Sequence, residues 1–193
     1  MAWRRRHRLT EHPLTLATSC RRRKSRSSAD VMTRMTHPKG MPPVVVDRRE
    51  QRPWPIPNAI WGTLEAGDYS LLGFETRVSL ERKSHIDLCG SVGKGRARFE
   101  REMVRLSSYR FAAIVIEASM SDLLNCTPAY SRMNPVATLA TLADWSVEYG
   151  VHVVCACNRR LAAAYARKLL ERAWVVLSAE DVKENQGKGA IQC

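Results

Sequence analysis

Gly67-Asp68-Tyr69-Ser70-Leu71-Leu72, then Gly73-Phe74-Glu75-Thr76, then Arg77-Val78-Ser79-Leu80-Glu81-Arg82-Lys83 is the stretch on which the fold turns. Tyr69, Leu71, Val78 and Leu80 alternate with polar residues on either side of a Gly-led turn, the pattern of a β-hairpin with one core-facing side. A turn centred between Phe74 and Glu75 sets Asp68 opposite Glu81, with Cβ atoms roughly 5 Å apart. Lys83, two residues beyond Glu81, shares that face. Two carboxylates that close repel unless protons or a cation lie between them, and a hard divalent ion with oxygen ligands would satisfy both. Such a group is equipped for phosphodiester hydrolysis, where about 8–23 kcal/mol of transition-state stabilisation is needed. The same three side chains would equally serve as ordinary ion pairs on a hydrated hairpin edge.

Outward from the hairpin, β and α signals alternate. Val44-Val45-Val46-Asp47 reads as a short buried strand, and Pro53, Pro55 and Pro57 forbid regular structure until about Ala59. Helices are expected over His85–Ser91 and Arg96–Leu106, the second with Phe99, Met103 and Leu106 on one face. Phe111–Glu117 and Val151–Cys155 read as strands. Asn134-Pro135 starts a helix running to Tyr149, and Asn158 caps a last helix to about Ala173. Strands separated by helices make an α/β sheet, and the hairpin makes that sheet mixed.

The chain has 193 residues and a net charge of +12, spread unevenly. Residues 1–40 hold eleven Lys/Arg against Glu11 and Asp30, while the rest is nearly balanced, with twenty against seventeen. The division expected is a basic, disordered arm over 1–40, a domain over 41–178 and a polar tail over 179–193. The arm points to polyanion contact but does not identify the function. No apolar run reaches the length of a bilayer span, so no membrane partner is expected. The six cysteines form no pair of Cys-x-x-Cys motifs and no Cys/His cluster, which argues against zinc and for a reduced, intracellular protein.

Gly67-Asp68, Glu81-Arg82-Lys83 and Asp87, with Val46-Asp47-Arg48-Arg49-Glu50 upstream and Ser91, Gly95, Arg96 and Ile114-Val115-Ile116-Glu117 downstream, together resemble the nuclease domain of the XPF family of structure-specific DNA endonucleases. The likeness extends over roughly residues 43–174. It implies an α/β, restriction-endonuclease-like mixed sheet flanked by helices. It implies Asp68, Glu81 and Lys83 as catalytic residues, with Mg²⁺ (or Mn²⁺ in its place) held by Glu50, Asp68, Glu81 and the Arg82 carbonyl. Asp47, Arg49, Arg82, Asp87 and Arg96 would support the site or contact DNA. For Asp87 the alternative is stabilisation of a helix N-terminus, and for Arg49 and Arg96 structural ion pairing. The implied partner is DNA, branched or flapped, in repair or recombination, and a homodimer through the nuclease domain is expected by analogy, on the 134–149 and 158–173 helices. The reading expects a compact, stand-alone version, as in phage and prophage genes, without helicase or tandem helix-hairpin-helix modules. A non-catalytic DNA-binding subunit on the same fold is the rival, and the intact Asp68, Glu81 and Lys83 argue against it.

Overall fold

Three consecutive valines open the sheet: β1 (Val44–Asp47) is buried along its whole length. The computed structural model describes residues 38–125 and 134–189, so the basic arm, up to His37, lies outside the described residues. After the prolines comes β2 (Ala59–Gly62), followed by β3 (Tyr69–Leu71), β4 (Val78–Lys83), β5 (Phe111–Ile116) and β6 (His152–Cys155). The sheet order is β2-β1-β3-β4-β5-β6. Only β3 runs against the others, pairing antiparallel with β1 and β4, whereas β1–β2, β4–β5 and β5–β6 are parallel. The sheet is therefore mixed, as expected, and the hairpin register is the expected one, with Tyr69 opposite Leu80.

Helices cover both faces. α1 (His85–Val92), α2 (Arg96–Leu106), α3 (Met120–Asn125) and α4 (Pro135–Glu148) lie on one side. There Leu88, Phe99, Met103, Leu106, Leu123 and Trp145 pack on Ile114 and Ile116. The long α5 (Arg159–Gly189) covers the other, where Ala162, Ala166, Leu170 and Leu177 pack on Val46, Tyr69, Leu71, Val78, Leu80 and Val115. The two apolar sets follow the period-2 alternation of β4 and β5. Sandwiched this way, β4 is buried at all six positions, so the charged end of the hairpin is not a hydrated edge.

Two parts depart from the expectation. β2 and α3 are additional elements. The last helix does not stop near Ala173: it continues to Gly189, because Leu177 is a core residue and the next turn is tied to the sheet. Glu180 pairs with Arg77 and Arg110, and Asp181 with Arg77. The segment from 179 read as a polar tail is thus helical through its described part.

Candidate active site

The carboxyl ends of β1, β4 and β5 and the start of β3 meet at one edge of the sheet, the place where open α/β sheets gather ligands. Asp68 is fixed there by its own main chain: its N–H donates to the Leu80 carbonyl (2.8 Å) and its C=O accepts from Asp47 N–H (2.9 Å). Gly67 makes this possible. It sits at φ +72°, and a Cβ on it would come within 2.1 Å of Ser79 Oγ, so no side chain fits where the chain crosses β4. The Gly67 N–H donates to Glu102 Oε1 of α2 at 2.8 Å.

On the α1–α4 side of β4, Lys83 Nζ donates to Glu81 Oε1 at 2.7 Å and stands 4.2 Å over the Phe99 ring, a cation–π contact that fixes the ammonium from behind. Asp68 Oδ2 accepts from the Arg82 N–H at 2.8 Å, which brings the Arg82 main chain, carbonyl included, to the same spot. Burial, then the charge of Glu81, push the Asp68 carboxyl up to about 8, with Glu50 adding and the Arg82 N–H and Lys83 opposing. Glu81 is raised as well, by burial first; Lys83 offsets this in part, while Glu102 and Glu50 reinforce it. Negative charge at this point exceeds the positive charge provided for it.

Arg82 points the other way, toward α5. Its Nε and Nη2 donate to Glu117 at 2.8 and 3.1 Å. Glu117, just past β5, also accepts from Trp54 Nε1 at 2.8 Å and Arg159 Nη1 at 3.3 Å. Arg159 in turn donates to the Arg52 and Pro53 carbonyls, so one buried carboxylate ties β4, β5, α5 and the 50–54 loop together. Glu50 belongs to this group. Its Oε1 accepts from Arg52 N–H at 2.5 Å and lies 3.5 Å from Arg82 Nη1.

The supporting residues divide. Asp47 accepts from Arg49 N, Nε and Nη2 and from Leu64 N at 2.7–3.0 Å, and Arg49 also donates to the Leu64 carbonyl. Burial would raise the Asp47 carboxyl, but these donors and the Arg49 charge hold it below the usual carboxylate range. The pair clamps the strand leading to Gly67. Asp87 and Arg96 stay outside. Asp87 accepts from Ser84 Oγ (2.6 Å), and its N–H donates back to that hydroxyl (3.1 Å), capping α1. Arg96 pairs with Glu100 and donates to Thr141 Oγ1 (3.0 Å), joining α2 to α4. Glu117, Phe99, Glu102 and Arg159 belong to the site's frame and were not assigned roles from sequence; only Glu117, ending the strand beside Lys83, carried a positional signal.

Among the described residues no three His, Cys, Asp or Glu side chains form a metal-ready cluster. The two carboxylates that converge are Asp68 and Glu81, and the charge of Glu50 acts on both. An all-oxygen pair, one member buried and the other half-buried, and short of positive charge, fits a hard divalent cation.

The profile of the ERCC4 domain family matches residues 46–169, so the match begins one position before Asp47 and contains every residue just described. No curated protein matches the chain. Among solved structures, XPF from Aeropyrum pernix is similar at 24% identity and a TM-score of 0.55, over 68% of this chain and 61% of that one. XPF from Aeropyrum pernix in complex with DNA is similar at 25% identity and 0.54, over 72% and 66%. The chain spans less than two thirds of either. Its fold is that of these structures, the restriction-endonuclease-like mixed sheet.

Proposed function

The chain belongs to the ERCC4 domain family, and from that premise we propose that it is a metal-dependent DNA endonuclease acting on branched or flapped DNA in repair or recombination. The observation that carries the reading is the Asp68–Glu81–Lys83 group: a half-buried and a buried carboxylate with raised proton affinity and an ammonium 2.7 Å from Glu81, at the open end of the sheet. The similarity to an XPF bound to DNA supports DNA as the substrate.

Asp68, Glu81 and the Arg82 carbonyl would hold Mg²⁺, or Mn²⁺ in its place, with Glu50 as a further carboxylate. When bound, such an ion polarises the phosphoryl oxygen and acidifies water. Asp68 and Glu81 would act on the scissile phosphate only through that cation, since two carboxylates by themselves repel an anion. Lys83, held by Glu81 and Phe99, donates to the attacking water or to the phosphate oxygen on which charge grows. Arg82 cannot substitute for Lys83, because Glu117 draws it to the opposite face. Asp47 and Arg49 keep the Asp68 strand in place, and Asp87 and Arg96 act through the helices they cap and join. No helix among the described residues is long and apolar enough to cross a membrane; an intracellular site of action belongs to the proposal, as does a homodimer through α4 and α5, whose exposed Val147, Leu161 and Tyr165 would enter the contact.

The test is cleavage of flap, fork and duplex DNA with Mg²⁺ and with EDTA, beside Glu81→Ala. The expected result is Mg²⁺-dependent cutting, fastest on flap or fork, abolished in the variant. Equal cutting by the variant, or none by the wild type, overturns the proposal.

A further inference from the structure

Trp61 lies on the outermost strand with 55% of its surface exposed, and its neighbour Ile60 is 39% exposed. A tryptophan so uncovered calls for an explanation in a folded domain. It stands in register with Val46 of β1, and Val46 with Tyr69 of β3, so the three share one sheet face and one row. Val46 and Tyr69 are covered by α5 in the core. That helix lies mainly over β3, β4 and β5, and β2 is exposed at Ala59, Ile60 and Trp61. Two strand spacings of about 4.8 Å place Trp61 roughly 10 Å from Tyr69, on the α5 face of the sheet and so across it from Asp68, Glu81 and Lys83.

The surroundings are cationic. The Arg48 N–H donates to the carbonyl of Gly62, next to Trp61 (2.9 Å), and the Arg48, Arg49 and Arg52 side chains are exposed along the loop that joins β1 to β2. An indole face beside a row of guanidiniums, at the catalytic end of the sheet, matches single-stranded nucleic acid, whose bases stack while its phosphates pair with cations. We propose that Trp61 is a stacking platform for an unpaired base of a single-stranded arm that leaves the site round the outer strand, with Arg48 and Arg52 on its phosphates. This rests on the reading of the chain as a DNA endonuclease and names the part of a branched substrate that it grips. A duplex, whose bases are stacked on one another, has no face to offer it.

The experiment is an anisotropy titration in EDTA, where cutting is suppressed, with labelled blunt duplex and with the same duplex carrying a single-stranded arm. Trp61→Ala is expected to weaken armed-DNA binding about ten-fold, roughly 1.4 kcal/mol, and to leave duplex binding within about two-fold. Trp61→Phe, which keeps a π face, restores most of the loss. No loss, an equal loss on both DNAs, or no rescue by Trp61→Phe overturns the platform, as does a change in oligomeric mass, which would assign the patch to a second copy of the chain. A wild type that cuts with Mg²⁺ while Trp61→Ala binds armed DNA normally refutes the platform and leaves the nuclease intact. A wild type that binds neither DNA refutes both.

Discussion

Glu81, Arg82 and Lys83 are consecutive, equally deep in the protein, and belong to two different electrostatic worlds. On the α1–α4 side, Glu81 and Asp68 share a single ammonium, and their carboxyls are pushed up. On the α5 side, Glu117 takes four hydrogen bonds from Arg82, Trp54 and Arg159. A carboxylate given full compensation is a structural anchor. A pair denied it holds a vacancy of positive charge, which a cation and a phosphate can fill. Period-2 alternation alone separates the two, since neighbours on a strand face opposite ways.

The sharpest break of this contrast is Lys83→Ala. Cleavage should fall by about 10³-fold with the far-UV spectrum and DNA affinity kept within narrow limits; retention of more than a tenth of the rate would move the chemistry elsewhere. Next comes Glu117→Ala, which strands the buried Arg82. Urea unfolding should show a loss of about 3–5 kcal/mol, with cleavage lowered in the surviving folded protein. Were Glu117→Ala as stable as the wild type, the anchor description would fail.

The uncompensated face has its own pH signature. A carboxyl raised to about 8 in the folded protein binds its proton more tightly than in the unfolded chain. Its stabilising effect is therefore complete below the ordinary Asp range and is lost as pH rises through about 8. Metal-free protein should lose Tm between pH 5 and 8 (~5–8) on this account, Asp68→Asn should flatten that slope, and added Mg²⁺ should restore Tm at the alkaline end. A wild-type slope unchanged by Asp68→Asn would show that the crowding is relieved some other way. The smallest effects belong to residues outside both faces: Arg96→Ala and Asp87→Ala should each lower stability by about 1 kcal/mol or less, seen as a small shift of the thermal midpoint, and leave cleavage within about two-fold of wild type once folding is corrected for.

Much of this arrangement is legible in the residues themselves. Tyr69, Leu71, Val78 and Leu80 define the hairpin and its register through alternation, and Asn134-Pro135 marks its helix because cap chemistry is local. β2 escapes because Ala59-Ile60-Trp61-Gly62 has no alternation and follows three prolines. The end of α5 escapes because Glu180 and Asp181 look like tail until Arg77 and Arg110, far back in the chain, are brought to them. Glu117 shows only its place at the end of a strand, and its partners stay hidden for the same reason: its donors come from 35 to 63 positions away. That Glu50 pairs with Arg82 depends on a loop whose path no local pattern dictates.

The hairpin turn, Gly73 to Arg77, is at the opposite end of β3 and β4 from Asp68 and Glu81. Residues can therefore be added or removed at that tip in pairs without moving a single charge, as a ladder may be lengthened at the top while its foot stays put. An odd change carried into β4 would be different: it would rotate the strand by one position and exchange Arg82 for its neighbours on the open face. The spacing between Gly67-Asp68 and Glu81-Arg82-Lys83 is thus free in length wherever the turn absorbs the change, and fixed only where a change would shift β4 itself.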